Sequence, residues 1–301
     1  MSHFVSRHGR RVGGRILGCV ERLSLGIDIG GTGIKAALVD TVTGELVTKR
    51  IRAKTPHPAT PEDVAARVRE VVDAVGQEHQ LAESLPVGCG LPSPVKDGVV
   101  MTAANIDKKW IGVSATELIG NALGRHVHVV NDADAAAIAE VRIGAGRNCA
   151  GTVLLLTIGT GIGSGLVVGG RLVPNTEFGH LEFKGHDAET RLSGAARERR
   201  KLRWKAWAAE FDTYLARLDN YVWPDLIILG GGVSKMIERF GEHLHTRAPL
   251  VPAQFLNTAG IIGAAMAGAD GAAFRPDMRD ASTAGMPAAH EATGSDMRDA
   301  S

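Results

Sequence analysis

The chain has 301 residues, 44% of them hydrophobic, enough for two domains of roughly 150 residues each around sizeable cores. Its 34 basic residues balance 33 acidic ones, so there is no global attraction to nucleic acid or to an anionic membrane, and any anion-binding patch must be local. Cys19, Cys89 and Cys149 have neither metal-site nor redox-motif spacing and read as inert, reduced thiols of a cytoplasmic protein.

Residues 1–22 carry Arg7, Arg10, Arg11, Arg15 and Arg22 without the apolar run of a signal peptide, and are expected to form a basic disordered extension. Apolar strands follow at 25–30 and 34–40 around a glycine turn, then strands at 46–52 and 87–90. Between these last two, Thr60-Pro61-Glu62-Asp63 opens a helix to Gln77: Thr60 caps it, Pro61 suits its first position and two acids face the positive end of the dipole. A strand from His126 to Val130 leads into an alanine-rich helix over Asp134–Ile143. Residues 148–170 lack any charge and are long enough to cross a bilayer, but seven glycines and three threonines divide them into strand-length pieces, so buried strands and no membrane contact are expected. Beyond them the pattern predicts a long helical region from Leu192 to about Tyr221, a strand at 226–229, a helix at 233–245 and a final apolar helix at 257–268. The hexapeptide Asp-Met-Arg-Asp-Ala-Ser occurs at 277–282 and again at 296–301, so residues 271–301 read as a low-complexity tail.

Three glycine loops interrupt this α/β pattern. In the first, Gly30, Gly31 and Gly33 let the backbone fold tightly enough to aim N–H groups at an anion, Thr32 adds a hydroxyl, Lys35 a charge, and Asp28 a carboxylate placed to bridge to a metal. Alone, such a hairpin could equally be a plain β-turn. A second loop, Thr157-Ile158-Gly159-Thr160-Gly161-Ile162-Gly163, sits between strands in the same way, and two such cradles imply two related domains. The third, at Gly230, Gly231 and Gly232, ends a buried strand and opens a helix, which suits a nucleotide or a further phosphate. Neither a dinucleotide fingerprint nor a Walker loop fits these spacings.

The first loop, Asn131-Asp132, the second loop, Glu177-Phe178-Gly179-His180 and the Gly230–Gly232 turn resemble, in order and spacing, the ROK family of sugar kinases. That resemblance implies the actin/hexokinase superfamily: a ribonuclease H-like α/β kinase fold of two domains with an interdomain cleft. Within the family, Thr102-Ala103-Ala104-Asn105-Ile106-Asp107, Asn175-Thr176-Glu177, Gly185-His186-Asp187-Ala188-Glu189 and Trp204-Lys205-Ala206-Trp207 are similar to the polyphosphate glucokinases of actinobacteria. The likeness spans about residues 24–270. The domain division expected is 23–130 for the first domain and 131–256 for the second, with 257–270 a helix returning to the first.

The resemblance implies phosphoryl transfer to the 6-hydroxyl of glucose, with Asp132 as general base. A helix N-cap is the alternative for Asp132, though Asp134 could supply one equally well. Asn105, Asn131, Glu177, His180 and Glu189 would hold sugar hydroxyls. The donor would be polyphosphate, and ATP as well, clamped by the two loops. Magnesium would be held through water by Asp28. The family's zinc site is missing its cysteines, so no zinc is expected. Ser93, in Pro92-Ser93-Pro94, replaces an expected glycine and could offer its hydroxyl to the sugar. Arg197, Arg199, Arg200, Lys201, Arg203 and Lys205, on a predicted helix, would be the track for polyphosphate; the bland alternative is a solvated helix face. A homodimer is implied by the family. A strictly ATP-dependent ROK glucokinase and a non-catalytic sugar-binding regulator share these sugar residues and stay open as alternatives.

Overall fold

The computed structural model describes residues 22–104 and 106–273. The expectations for Asn105, for the basic stretch before Arg22 and for the repeated hexapeptide lie outside them.

The chain opens with β1 (Leu23–Gly30), β2 (Gly33–Asp40) and β3 (Ile51–Ala53), then α1 (Pro61–Glu78), β4 (Val87–Leu91), a small β5–β6 arm (Val95–Lys96, Val99–Val100), α2 (Ala115–Leu123) and β7 (His128–Asn131). After α3 (Asp132–Arg142) come β8 (Thr152–Ile158), β9 (Ile162–Val168) and β10 (Arg171–Val173), a β11–β12 hairpin (Glu182–Phe183, His186–Asp187), and α4 (Ala188–Leu192), α5 (Gly194–Arg199) and α6 (Trp204–Val222). The chain then runs through β13 (Leu226–Gly230), α7 (Gly231–Ser234), β14 (Leu250–Pro252) and α8 (Ala259–Ala273).

The strands form two five-stranded sheets with one topology repeated, β3-β2-β1-β4-β7 and β10-β9-β8-β13-β14. In each, the first three strands are an antiparallel meander and the last two pair in parallel. The parallel strands end at Leu91, Asn131, Ile158 and Gly230, and ligands of open α/β sheets bind beyond such carboxyl ends. Thr60 caps α1 as its sequence predicts, accepting a hydrogen bond from the Asp63 amide. Val64, Val68, Val71 and Val75, spaced for one helical face, are buried in one core with Leu25, Ile27 and Ile29 of β1 and Ile34, Ala36 and Leu38 of β2. Each such side chain contributes about 1.5–3 kcal/mol on burial. The second sheet packs on a different core, in which Trp207, Phe211, Tyr214 and Phe240 are buried together.

Two helical expectations differ from the structure. The region 192–221 is broken at Arg200–Arg203, where Lys201 takes a left-handed φ of 52° and the Arg197 guanidinium donates to the Leu202 carbonyl at 2.9 Å. The break lets α6 restart at Trp204, so that the Trp207 indole donates to the Leu192 carbonyl at 2.8 Å. The predicted helix at 233–245 stops at Ser234 and continues as short 3-10 turns. Phe240 there lies against Trp204 and Trp207, centroids 5.4 and 5.0 Å away, and this packing overrides the helical pattern. No described helix is long and apolar enough to cross a membrane.

Helix α8 returns to the first sheet at backbone contact distance. A Cβ on Gly88 would come 1.7 Å from the Ala264 carbonyl oxygen, and one on Gly263 would come 1.6 Å from that of Ala135. By contrast Gly76, in α1, has room: its nearest neighbour would be a Leu81 methyl at 3.8 Å. Urea denaturation should therefore separate two chemically identical changes. Gly88→Ala should destabilise by about 3 kcal/mol through forced backbone shifts, whereas Gly76→Ala should stabilise by about 0.5–1 kcal/mol through helix propensity.

Candidate active site

A cavity of about 330 Å³ lies between the ends of the two sheets. Its floor is the β7–α3 junction. Asn131 caps α3: its side-chain oxygen accepts from the amides of Ala133 at 2.8 Å and Asp134 at 3.1 Å. Neither Asp132 nor Asp134 makes the cap, which frees Asp132 to face the cavity. Burial, then the Asp28 carboxylate and that of Glu177, raise Asp132 to about pKa 7, against the hydrogen bond from the Ala133 amide and the charge of Lys35. A carboxylate so placed is half ionised near neutrality and can both take and return a proton.

Asp134 points the other way, into the packing. It is buried, and its Oδ2 accepts from the Asn175 amide at 2.7 Å while its Oδ1 has no partner. Burial raises it to about pKa 7, the Asn175 amide opposing and the charge of Glu177 adding. Asn175, at a left-handed φ of 60°, extends its amide to Val95 of the β5–β6 arm, donating to the Val95 carbonyl and accepting from its amide, both at 2.9 Å. Asp134 and Asn175 thus clip the loop that carries Glu177 to the first half of the chain.

Glu177 and His180 enter from that loop, which hangs from Ser164 and Tyr214. The Ser164 hydroxyl accepts from the Phe178 amide at 2.9 Å, and the Tyr214 hydroxyl donates to the Phe178 carbonyl at 2.8 Å. The imidazole of His180 is fixed at Nδ1, 3.1 Å from Asp187, and its Nε2 lies 3.5 Å from Glu177. Burial lowers the His180 pKa, but the Asp187 hydrogen bond and the charges of Glu189 and Glu177 outweigh it and raise the net value. Glu177 is itself raised, first by burial and also by Glu189, with His180 opposing. Glu189 accepts from the Ile162 amide at 3.2 Å, tying it to the second glycine loop.

The loops form the walls. Gly31 and Thr32 line one side, and Thr157, Gly159, Thr160, Gly161 and Gly163 the other, with Gly231 between them. Gly231 has a φ of 75°, and a Cβ there would come 2.5 Å from the Ile158 amide nitrogen, so the turn needs glycine. Gly30 and Gly33 do not line the cavity; they pair with each other at the base of the first hairpin. Gly232 is open to space. Asp28 and Lys35, ion-paired at 2.6 Å, line an adjoining cavity instead.

Ser93 lines the cavity, and its hydroxyl donates to the Thr102 carbonyl, tying together two segments of the wall and leaving its oxygen able only to accept from a sugar hydroxyl. Among the 197–205 cations, Arg197 stacks on Trp204 at 3.9 Å, Arg199 donates to the Thr190 carbonyl and Arg200 chelates Glu210, whereas Lys201, Arg203 and Lys205 are exposed. The adjoining cavity contains two residues the sequence reading missed, Arg50 and Arg52. They belong to no motif; strand pairing with Lys35 brings Arg52 to the site, and Arg50 lies just before that strand. Cys89 is buried beside Asp28, both effects holding its thiol protonated far above the usual range.

The sequence model of the ROK family matches residues 24–195. Over 248 residues the chain is 48% identical to the polyphosphate glucokinase of Mycobacterium tuberculosis, spanning 82% of this chain and 91% of that protein. The solved inorganic polyphosphate/ATP-glucomannokinase of Arthrobacter superposes with a TM-score of 0.79 at 46% identity, covering 83% of this chain and 98% of its own. A ROK family glucokinase of Streptomyces griseus, solved in complex with glucose and AMPPNP, superposes with a TM-score of 0.69 at 25% identity, covering 81% and 98%.

The raised carboxyls give a signed pH dependence of stability. Between the ordinary value of 3.8 and about 7, the folded chain holds protons on Asp132 and Asp134 that the unfolded chain has released, so stability falls as pH rises through this window. The urea midpoint should be higher at pH 5 than at pH 8, and Asp134→Asn, which keeps an acceptor for Asn175 but cannot ionise, should shrink that difference. An unchanged difference would show that Asp134 does not titrate there.

Proposed function

The chain belongs to the ROK family, and from that premise we propose that it moves the terminal phosphoryl group of inorganic polyphosphate, and of ATP, to the 6-hydroxyl of glucose. Its fold is the α/β kinase fold of the actin/hexokinase superfamily. One observation carries the reading: the raised carboxyl of Asp132 lies in a single cavity with two glycine loops on its walls and with Asn131, Glu177, His180 and Glu189 beside it. The identity to a polyphosphate glucokinase over most of both chains supports the donor and the acceptor.

Glucose lies over Asn131, Glu177, His180 and Glu189, with Asn105 completing the set by the family pattern. Hydroxyls are distinguished by geometry, and here the geometry is held by second contacts: Asp187 fixes the His180 ring and Ile162 fixes Glu189. The terminal phosphate of the donor sits where Thr32, Thr157 and Gly231 meet Asp132. As the bond from O6 to phosphorus forms and the donor P–O bond breaks, the O6 proton passes to the Asp132 carboxylate. The donor leaves one phosphate shorter, or as ADP. Closure of the cleft excludes water, so hydrolysis does not compete.

The residues present fit magnesium. The ion takes hard oxygen donors, commonly one or two carboxylates together with water and substrate phosphates, and Asp28 supplies such a carboxylate in a polar cavity beside Thr32. Asp28 would hold it through water, and when bound it neutralises donor charge. A homodimeric cytoplasmic enzyme completes the proposal, on family grounds.

Glucose 6-phosphate formation with polyphosphate or ATP as sole donor tests the reading directly; silence with both would leave a sugar-binding protein. The ascending limb of kcat/KM against pH should have its midpoint near 7, because Asp132 must be ionised to accept the proton. Asp132→Asn should lower kcat with either donor by about 10³-fold while the Kd for glucose changes by no more than about threefold. Loss of glucose binding together with turnover would instead make Asp132 a structural residue.

A further inference from the structure

We infer that polyphosphate leaves the active site past Lys35 and across Arg52 and Arg50, which position the phosphates beyond those gripped by the glycine loops. The inference rests on polyphosphate being a donor and assigns the part of that site which distinguishes it from ATP.

Two cavities meet at the reacting end of the donor. The sugar-side cavity and a second one of about 350 Å³ share Thr32, Asp132, Thr157 and Gly231, so a chain with its terminal phosphate beside Asp132 can continue from one into the other. The second cavity carries Lys35, Arg50 and Arg52. Strand register explains the cluster: Asp28 pairs with Lys35 across β1 and β2, and Lys35 with Arg52 across β2 and β3, so the three stand in one row on one face of the sheet. Arg50, just before β3, lines the same cavity.

The charges in this row do not balance. Asp28 is ion-paired with Lys35, at 2.6 Å. Among the described residues Arg50 and Arg52 have no ion pair, and the contact of Arg50 is a 3.4 Å hydrogen bond to the Asn257 carbonyl. Like charges directly opposite on neighbouring strands, as Lys35 and Arg52 are, destabilise a sheet. An anion between them reverses that cost. Arg52 also lies against the first phosphate loop, since a Cβ on Gly33 would come 2.9 Å from its Nε. Guanidinium groups bind phosphate oxygens in bidentate fashion, and successive phosphates of a linear chain present such oxygens at regular intervals. Of the 197–205 cations, Arg197 and Arg200 are committed to Trp204 and Glu210, Lys201, Arg203 and Lys205 are exposed, and none of the six lines either cavity.

The test is the double variant Arg50→Ala/Arg52→Ala, assayed with long-chain polyphosphate, tripolyphosphate and ATP at fixed magnesium and glucose. With the long chain, KM should rise at least about tenfold, and the slope of log(kcat/KM) against log salt should flatten by about 1.4, the share of two phosphate contacts to a single-stranded polyanion. Constants for ATP and tripolyphosphate should stay within about twofold, and Arg50→Lys/Arg52→Lys should restore most of the salt slope. Thermal unfolding of both variants at the wild-type temperature shows that they fold. Equal losses with all three donors, or none with the long chain while the wild-type protein still uses it, overturn the track alone. A wild-type protein that transfers from ATP and not from polyphosphate overturns the donor reading and the track with it.

Discussion

The site depends on how closely helix α3 is held between the two sheets. Its buried face is almost all alanine, and it is met by glycines on opposite sides. A Cβ on Gly165 would come 2.5 Å from the Ala137 methyl, and one on Gly163 would come 2.9 Å from that of Ala133. On the other side Gly263 of α8 meets the Ala135 carbonyl, and Gly90 of β4 lies under the Asp132 Cα. No larger side chain fits these contacts, so the helix has one place to sit. Asp132, its first residue, is thereby placed within reach of both glycine loops. Interiors packed at this density transmit small displacements, so the same contacts couple Asp132 to any relative motion of the sheets.

Burial that fixes geometry also sets electrostatics. Asp28, Asp132, Asp134 and Glu177 occupy a small volume, and their mutual repulsion would be costly if all were ionised. The structure relieves it in two ways. Lys35 neutralises Asp28, and desolvation holds Asp132, Asp134 and Glu177 closer to their protonated forms. The roles of the two aspartates then separate by direction. Asp134 is turned into the packing and clips the Glu177 loop through Asn175, whereas Asp132 faces the cavity, where a proton can leave it. Cations gather on the opposite side of the reacting centre, along the row that begins at Lys35. The site thus has a hydrogen-bonding end suited to hydroxyls and a basic end suited to phosphates.

Much of this was legible before the structure. The glycine loops are turns whose local sequence dictates them, and their flanking strands are continuous apolar runs that can only be buried. The capped start of α1 and the alanine-rich α3 follow from residues within one turn of each other. The helical expectation for 233–245 failed because Phe240 is drawn to Trp204 and Trp207, a contact no local window contains. The break at Arg200–Arg203 has the same cause, since Trp207 must reach Leu192. Nothing local shows that the Ser93 hydroxyl donates to the Thr102 carbonyl. Arg50 and Arg52 carried no signal at all, one lying just before a short edge strand and the other within it, without a motif.

What the amino-acid sequence determined by itself is therefore the family, the repeated strand–loop–strand units and the identity of the groups able to act on a phosphate and a sugar. These follow from turn chemistry and hydrophobic period, which act over a few residues. Only the tertiary structure decided which carboxylate faces the cavity, which caps and clips the packing, and which cations are left unpaired. Those outcomes depend on desolvation and on partners distant in the chain, and both exist only once the two sheets have closed on α3.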